Sequence, residues 1–310
     1  MNNLLVGNGL SISISKAFSY KSLRETINDD LSPEVQRLFN KLDTDDFELL
    51  LSKIQDAREV IEAITDGQII INKAISLEIK SKLIETIQEI NPKFPHDHGL
   101  NPQNLNKALL DYDKVFTTNY DIYLYWGRKG KRDYNIIDYF FNNGKFDRNE
   151  VDRRGRKSIY FLHGALFIFE IENKVIKIGR GKFTTLKEAI EFKVKNEDKY
   201  PLFVSEGSHV EKLTTIKRNE YLSFCYDNLR AMDGTLDIYG HNLNPSVDQH
   251  IIDAIRESNI KNVNYYQYKY LDMSKPEQDH LESDLRVKLN KNISIIDAAD
   301  HNLSKWDIYH

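Results

Sequence analysis

Short apolar runs recur along the chain, and several end abruptly in a polar or glycine-bearing cluster. Leu4-Leu5-Val6 runs into Gly7-Asn8-Gly9-Leu10-Ser11, and Val115-Phe116 into Thr117-Thr118-Asn119-Tyr120-Asp121. Ser158-Ile159-Tyr160-Phe161-Leu162 meets His163-Gly164, and Pro201-Leu202-Phe203-Val204-Ser205 meets Glu206-Gly207-Ser208. Thr235-Leu236-Asp237-Ile238-Tyr239 ends in Gly240-His241-Asn242-Leu243. Runs of this length, rich in β-branched and aromatic residues, predict buried strands. Two more strands are expected at 262–268 and 293–297, and residues 165–178 alternate about Glu172-Asn173 as a β-hairpin beside the sheet. Between them, apolar residues at helical spacing predict helices over 185–195, 210–218, 220–230 and 277–289, and one that starts at Asn244-Pro245-Ser246. Alternating β and α elements predict an α/β fold, a Rossmann-like doubly wound parallel sheet.

Residues 20–110 depart from that alternation and read as helical throughout. Ser32-Pro33-Glu34 is a capped helix start, Asp46 opens a longer helix towards Ile64, and Ile71 to Ile90 repeats at helical spacing until Asn91-Pro92 ends it. A short helix follows at 105–110. The expected organisation is a sheet domain made of 1–19 and 111–310, with an all-helical insertion at 20–110 between its first and second strands. The insertion shows no catalytic constellation and reads as a lid, an oligomer surface or a partner surface. Residues 121–126 continue as a helix. Residues 128–157 read as a charged excursion with one short helix near 136–141.

The chain has 310 residues, with 43 basic against 47 acidic side chains and a formal charge of −4. It carries no global basic footprint, so direct binding of nucleic acid is not expected. The local clusters Arg128-Lys129-Gly130-Lys131-Arg132 and Arg153-Arg154-Gly155-Arg156-Lys157 read as solvated loops. Cys225 is the single cysteine, which rules out an intrachain disulfide and a cysteine zinc site, and its apolar helical setting points to packing. The N-terminus lacks the pattern of a signal peptide and no apolar run reaches transmembrane length. These features predict a reduced, cytoplasmic protein with no membrane partner.

The strand ends carry the candidate chemistry. Gly7-Asn8-Gly9 directly after the first strand is a phosphate-binding layout, although Ile12 stands where a dehydrogenase fingerprint has its third glycine. Asn119 both donates and accepts hydrogen bonds and Asp121 accepts while ionised, which suits sugar hydroxyls or an ordered water, or else a turn and a helix cap. His163, at the carboxyl end of a central strand, suits acid/base work or a structural role. Ser11 is equally a phosphate ligand or a helix N-cap. Four such ends on one sheet edge suggest a dinucleotide pocket with hydrolytic machinery.

These segments resemble the sirtuin-like family, within it the bacterial NAD-hydrolase branch of antiphage defence. The similar pieces are Gly7-Asn8-Gly9-Leu10-Ser11, Phe116-Thr117-Thr118-Asn119-Tyr120-Asp121, Phe161-Leu162-His163-Gly164, and Gly240-His241-Asn242-Leu243 with Asp248 downstream. Asn8 replaces the family's usual alanine, and the Pro-X-Phe-Arg stretch and four zinc cysteines of the deacylating members are missing. The resemblance therefore implies bare cleavage of NAD to nicotinamide and ADP-ribose, with NAD as substrate and no metal. It implies that Asn119 positions the attacking water or the nicotinamide ribose, that His163 is the general base, and that Asp121 binds ribose or orients its neighbours. Gly7, Asn8, Gly9 and Ser11 would hold the diphosphate. Gly240, Asn242 and Leu243 would lie near the adenosine end, with Thr118 also among the cofactor-binding residues. An NAD-depleting effector must be silent at rest, so a homo-oligomer or a partner such as a hexameric ATPase is implied. The alternatives are a non-catalytic module that binds NAD or ADP-ribose, and, more remotely, a zinc-free deacylase.

Overall fold

Leu4, Leu5 and Val6 are fully buried because the strand they form, β1 (Asn2–Val6), lies inside a seven-stranded parallel sheet with neighbours on both sides. A strand covered on both faces reads as a continuous apolar run, which is how this one reads. The structure, a computed structural model, describes residues 1–66, 73–129, 136–148, 157–197, 199–205 and 209–307.

From β1 the chain passes, among the described residues, through six α-helices: α1 (Gly9–Ile14), α2 (Tyr20–Ile27), α3 (Pro33–Lys41), α4 (Phe47–Thr65), α5 (Ala74–Ile90) and α6 (Pro102–Leu109). It returns to the sheet as β2 (Lys114–Thr117), then forms α7 (Tyr123–Gly127) and the short strands β3 (Ile136–Ile137), β4 (Phe140–Phe141) and β5 (Lys145–Phe146). Next come β6 (Lys157–Phe161), β7 (Gly164–Ile171), β8 (Lys174–Lys177), α8 (Leu186–Glu197) and β9 (Pro201–Phe203). Helices α9 (His209–Arg218) and α10 (Glu220–Arg230) lead to β10 (Asp233–Tyr239), α11 (Pro245–Glu257), β11 (Asn259–Gln267), α12 (Lys275–Leu289) and β12 (Asn292–Asp297).

The parallel sheet runs β12-β11-β10-β1-β2-β6-β3 and is flanked by helices, a Rossmann-like α/β arrangement. Its order reverses at β1, with β2, β6 and β3 on one side and β10, β11 and β12 on the other. Ligands of open α/β sheets bind outside the carboxyl ends of the strands at such a reversal. Register brings those ends level: Val6 lies opposite both Thr117 and Tyr239, and Thr117 opposite Phe161. The helices between β1 and β2 share one continuous apolar core with the sheet, since Leu23, Phe39, Phe47 and Leu83 belong to the same cluster as Leu4, Phe116 and Ile238. Among the described residues, no helix is long and apolar enough to cross a membrane.

Several local expectations change. Residues 136–141 are not a helix: β3 and β4 are strands, and Tyr139 between them takes φ 61°, which no helix accommodates. The hairpin turns at Glu172 and Asn173, both at positive φ, as its two-residue loop requires. It belongs to a second, five-stranded sheet, β4-β5-β8-β7-β9, and β9 pairs antiparallel with β7 there instead of joining the parallel sheet. Arg128 is not a solvated loop residue: it is buried and its Nε lies 3.0 Å from Asp138, which Lys177 also contacts. The rest of both basic clusters, apart from exposed Lys129 and from Lys157, and the Glu206-Gly207-Ser208 strand end lie outside the described residues.

Candidate functional site

A cavity of about 350 Å³ opens at the reversal point of the parallel sheet. Asn8, Gly9, Thr118, Asn119, Asp121, His163, Gly240 and Asn242 all line it, so four separate strand ends contribute. Gly7, Ser11 and Leu243, expected to touch a ligand, do not line it.

The glycines of the first loop serve the protein itself. A Cβ on Gly7 would stand 2.5 Å from the Gly240 carbonyl oxygen, and one on Gly9 equally close to Gly240 Cα. The loops after β1 and β10 are pressed together, and the Gly9 amide donates to the Gly240 carbonyl over 2.8 Å. Gly240 takes φ 67°, a conformation that L side chains rarely adopt.

Ser11 fits neither of its expected roles. It is fully buried inside α1, whose N-cap position is Asn8, and no side chain caps that helix. Its hydroxyl instead ties two site residues together, donating to Asp121 Oδ2 over 2.5 Å and accepting from Asn119 Nδ2 over 2.8 Å. Asp121 Oδ1 accepts from the Tyr123 amide, so Asp121 both anchors the entry to α7 and faces the cavity. Burial pushes the Asp121 carboxyl above its ordinary pKa, against the opposing Ser11 hydrogen bond. With its Nδ2 committed to Ser11, Asn119 holds Oδ1 buried and without a hydrogen-bond partner among the described residues. A buried acceptor left in this way is costly unless a ligand or a water meets it.

His163 is 2 % exposed and its Nε2 lies 2.9 Å from His250 Nε2 on α11. Burial, with Lys212 and His250 adding to it, drives the His163 imidazole well below its usual pKa, so the ring is neutral near pH 7. His250 is pulled down to about 3, again first by burial.

The helical segment contributes more than the sequence suggests. Tyr20, Leu23, Glu48, Leu83 and Ile87 line the cavity together with Phe18, so residues 20–110, read as a lid or as an oligomer or partner surface without a catalytic constellation, do contribute lining, Glu48 among it. Glu48 makes an ion pair of 2.7 Å with Lys212 of α9, whose side chain is 0 % exposed. Lys212 also lies 3.6 Å from Asp248 of α11, and Asp248 lies 3.7 Å from His241. Burial works against the charge on Lys212, and Glu48 and Asp248 outweigh it, so the ammonium is held above its ordinary pKa. For Asp248, burial is outweighed by Lys212 and the two neighbouring histidines, and its carboxyl stays below the ordinary value. One fully buried cation on α9 thus links that helix to α4 and α11.

Glu48, Lys212 and His250 are the residues in and around the site that strand-end reasoning does not find. His241 could be found, since it sits inside the Gly240-His241-Asn242-Leu243 cluster. Lys212 had a weaker signal: it precedes Ile216 by one helical turn, on the face of α9 that is buried.

The comparisons with known proteins add a family without a function. No curated protein matches the chain. A family model described as a domain of unknown function, DUF4917, matches residues 4–290, which takes in every strand-end cluster described above. The chain belongs to the DUF4917 family.

Proposed function

We propose that this protein cleaves the nicotinamide–ribose bond of NAD with water, releasing nicotinamide, ADP-ribose and a proton. The observation that supports it most is the pairing of Asn119 and His163 in one cavity at the sheet's reversal point, the first with an unengaged carbonyl oxygen and the second a neutral imidazole. The resemblance to sirtuin-like NAD hydrolases, carried by the same segments, adds to it.

Ser11 fixes the Asn119 amide so that Oδ1 points to a water or a ribose hydroxyl. Breaking the bond develops positive charge at the anomeric carbon. Asp121, Glu48 and Asp248 are the ionisable carboxyl groups of the lining, and no lysine or arginine is among the described lining residues. Carboxylates held in a site that excludes water stabilise such a cation far better than they would in solution. His163 accepts the proton of the attacking water. Asn8, Gly9, Gly240 and Asn242 receive the diphosphate and the adenosine end. By the same resemblance, we place the protein among NAD-depleting effectors of antiphage defence, acting as an oligomer or with a partner protein.

A second reading, an NAD-binding module without turnover, is favoured by one observation: His250 engages His163 Nε2. Nicotinamide release from NAD by the purified chain, beside Asn119→Ala and His163→Ala, separates the two. The hydrolase reading expects release that vanishes with Asn119→Ala and falls on the order of 100-fold with His163→Ala. Binding of NAD with no release, alone or in lysate of phage-infected cells, favours the module.

A further inference from the structure

His163 and Asp248 line the cavity and His250 lies against His163, each buried, with one potential ligand atom apiece all within 4.8 Å of one another. Two imidazoles and one carboxylate are a common donor set for first-row transition metals, and imidazole favours zinc, copper, nickel and iron over magnesium or calcium. Asp248 Oδ1 and His250 Nδ1 are buried polar atoms without a hydrogen-bond partner among the described residues. Lys212 forms an ion pair with Asp248 at 3.6 Å but spends its short contact of 2.7 Å on Glu48. Two carboxylates, Glu48 and Asp248, thus share one ammonium, which leaves negative charge beside the two histidines for a cation. His163 and His250 already bring ring nitrogens to 2.9 Å, so a small opening of the pair admits an ion at metal–nitrogen distances of about 2.0–2.1 Å. The set comes from His163, just past the carboxyl end of β6, and from a single turn of α11, where Asp248 at φ −124° departs from helical geometry.

We propose that His163, Asp248 and His250 form a binding site for a divalent transition-metal ion of the zinc type, and that filling it silences the cavity. The bound ion occupies a lone pair of His163, so the ring cannot accept a proton. Three protein ligands leave a zinc-type ion one open position. The silencing half rests on the reading of His163 as the base; the binding half does not.

The test uses the full chain, stripped with a chelator and titrated with Zn²⁺ and, for its visible absorption, Co²⁺. One equivalent is expected to bind, with Mg²⁺ and Ca²⁺ failing to compete. His250→Gln and Asp248→Asn should each weaken binding by more than about 10-fold, the cost that even outer-shell partners of a metal carry. Far-ultraviolet circular dichroism of both variants shows that the fold is kept, and should one unfold, the other carries the comparison. Absence of stoichiometric binding to the folded wild type, or binding unchanged in the folded variant, overturns the site. In the nicotinamide-release assay, Zn²⁺ should suppress turnover and the chelator restore it. Turnover that persists with the ion bound overturns the silencing. A metal-free chain that binds Zn²⁺ but never cleaves NAD instead counts against the hydrolase reading and leaves the site standing.

Discussion

The Gly9 amide nitrogen lies 2.8 Å from the Gly240 carbonyl oxygen, so the loops after β1 and β10 touch through backbone alone. A methyl group on Gly9 has no room, since its carbon would meet Gly240 Cα at 2.5 Å. Gly9→Ala is expected to cost on the order of 1–3 kcal/mol, the range for overpacking a tight contact, and to weaken nucleotide binding by spreading the cavity floor. Thermal or urea denaturation reads the first effect. A variant as stable as the parent would mean that the two loops are not held in this contact.

Ser11 is the shared support of Asn119 and Asp121. Ser11→Ala leaves a buried carboxylate and a buried amide each short of a partner, at about 1–3 kcal/mol per unsatisfied group. NAD cleavage should drop along with stability although Ser11 does not line the cavity. Turnover and denaturation midpoint measured on the same preparation check both. Full activity in a destabilised variant would show that Asn119 keeps its orientation without the hydroxyl.

Lys212 carries a cation with no exposed surface, held by Glu48 and Asp248. Lys212→Met removes that cation and leaves two buried carboxylates facing each other, which should cost about 3–5 kcal/mol. Combining it with Glu48→Gln should cost less than the two separate losses added together, because the residues interact directly. Strict additivity in urea unfolding would dismiss the coupling between α4 and α9.

His301 reports on acid stability. Its Nδ1 accepts from the Leu303 amide and its Nε2 meets the Tyr112 hydroxyl, which in turn donates to Asp237. Burial pulls the imidazole down to about 4, so the folded state binds fewer protons than the unfolded state below the ordinary histidine value. The stability this group contributes is complete above about pH 6.5 and is lost as the pH falls towards 4, by at most about 3 kcal/mol. His301→Gln should flatten the fall in stability over that window without abolishing it, since buried His163, His241 and His250 titrate in the same direction. An unchanged slope would mean that His301 is charged in the folded protein.

Strand ends were legible because each is a local pattern: an apolar run and the polar residues next to it. That is why Asn119, His163, Gly9 and Gly240 could be assembled into one site from sequence, and the cavity does bring them together. Partnerships across the chain were not legible. Lys212 and Lys217 stand on the same helix and look alike in sequence, yet one is buried against Glu48, 164 positions away, and the other is exposed. Ser11 was misread because an N-cap and a buried mid-helix hydroxyl look alike until the other end of the hydrogen bond is known. Strand β9 was assigned to the wrong sheet because its apolar pattern says that it pairs and not with what.

The place of β1 between β2 and β10 also has a kinetic side. Its two partners begin at Lys114 and Asp233, so neither face of its hydrogen-bonding ladder closes through nearby sequence. During synthesis, at about 5–20 residues per second, β1 waits several seconds for β2 and roughly twice as long for β10. Until then its unpaired edge is a template for any other strand, and the helices that follow it must fold without their sheet. Such long-range closure makes for slow folding. A chain cut anywhere before β10 would expose the middle of its own sheet, which makes the emerging polypeptide a natural client for chaperones that shield unpaired strands.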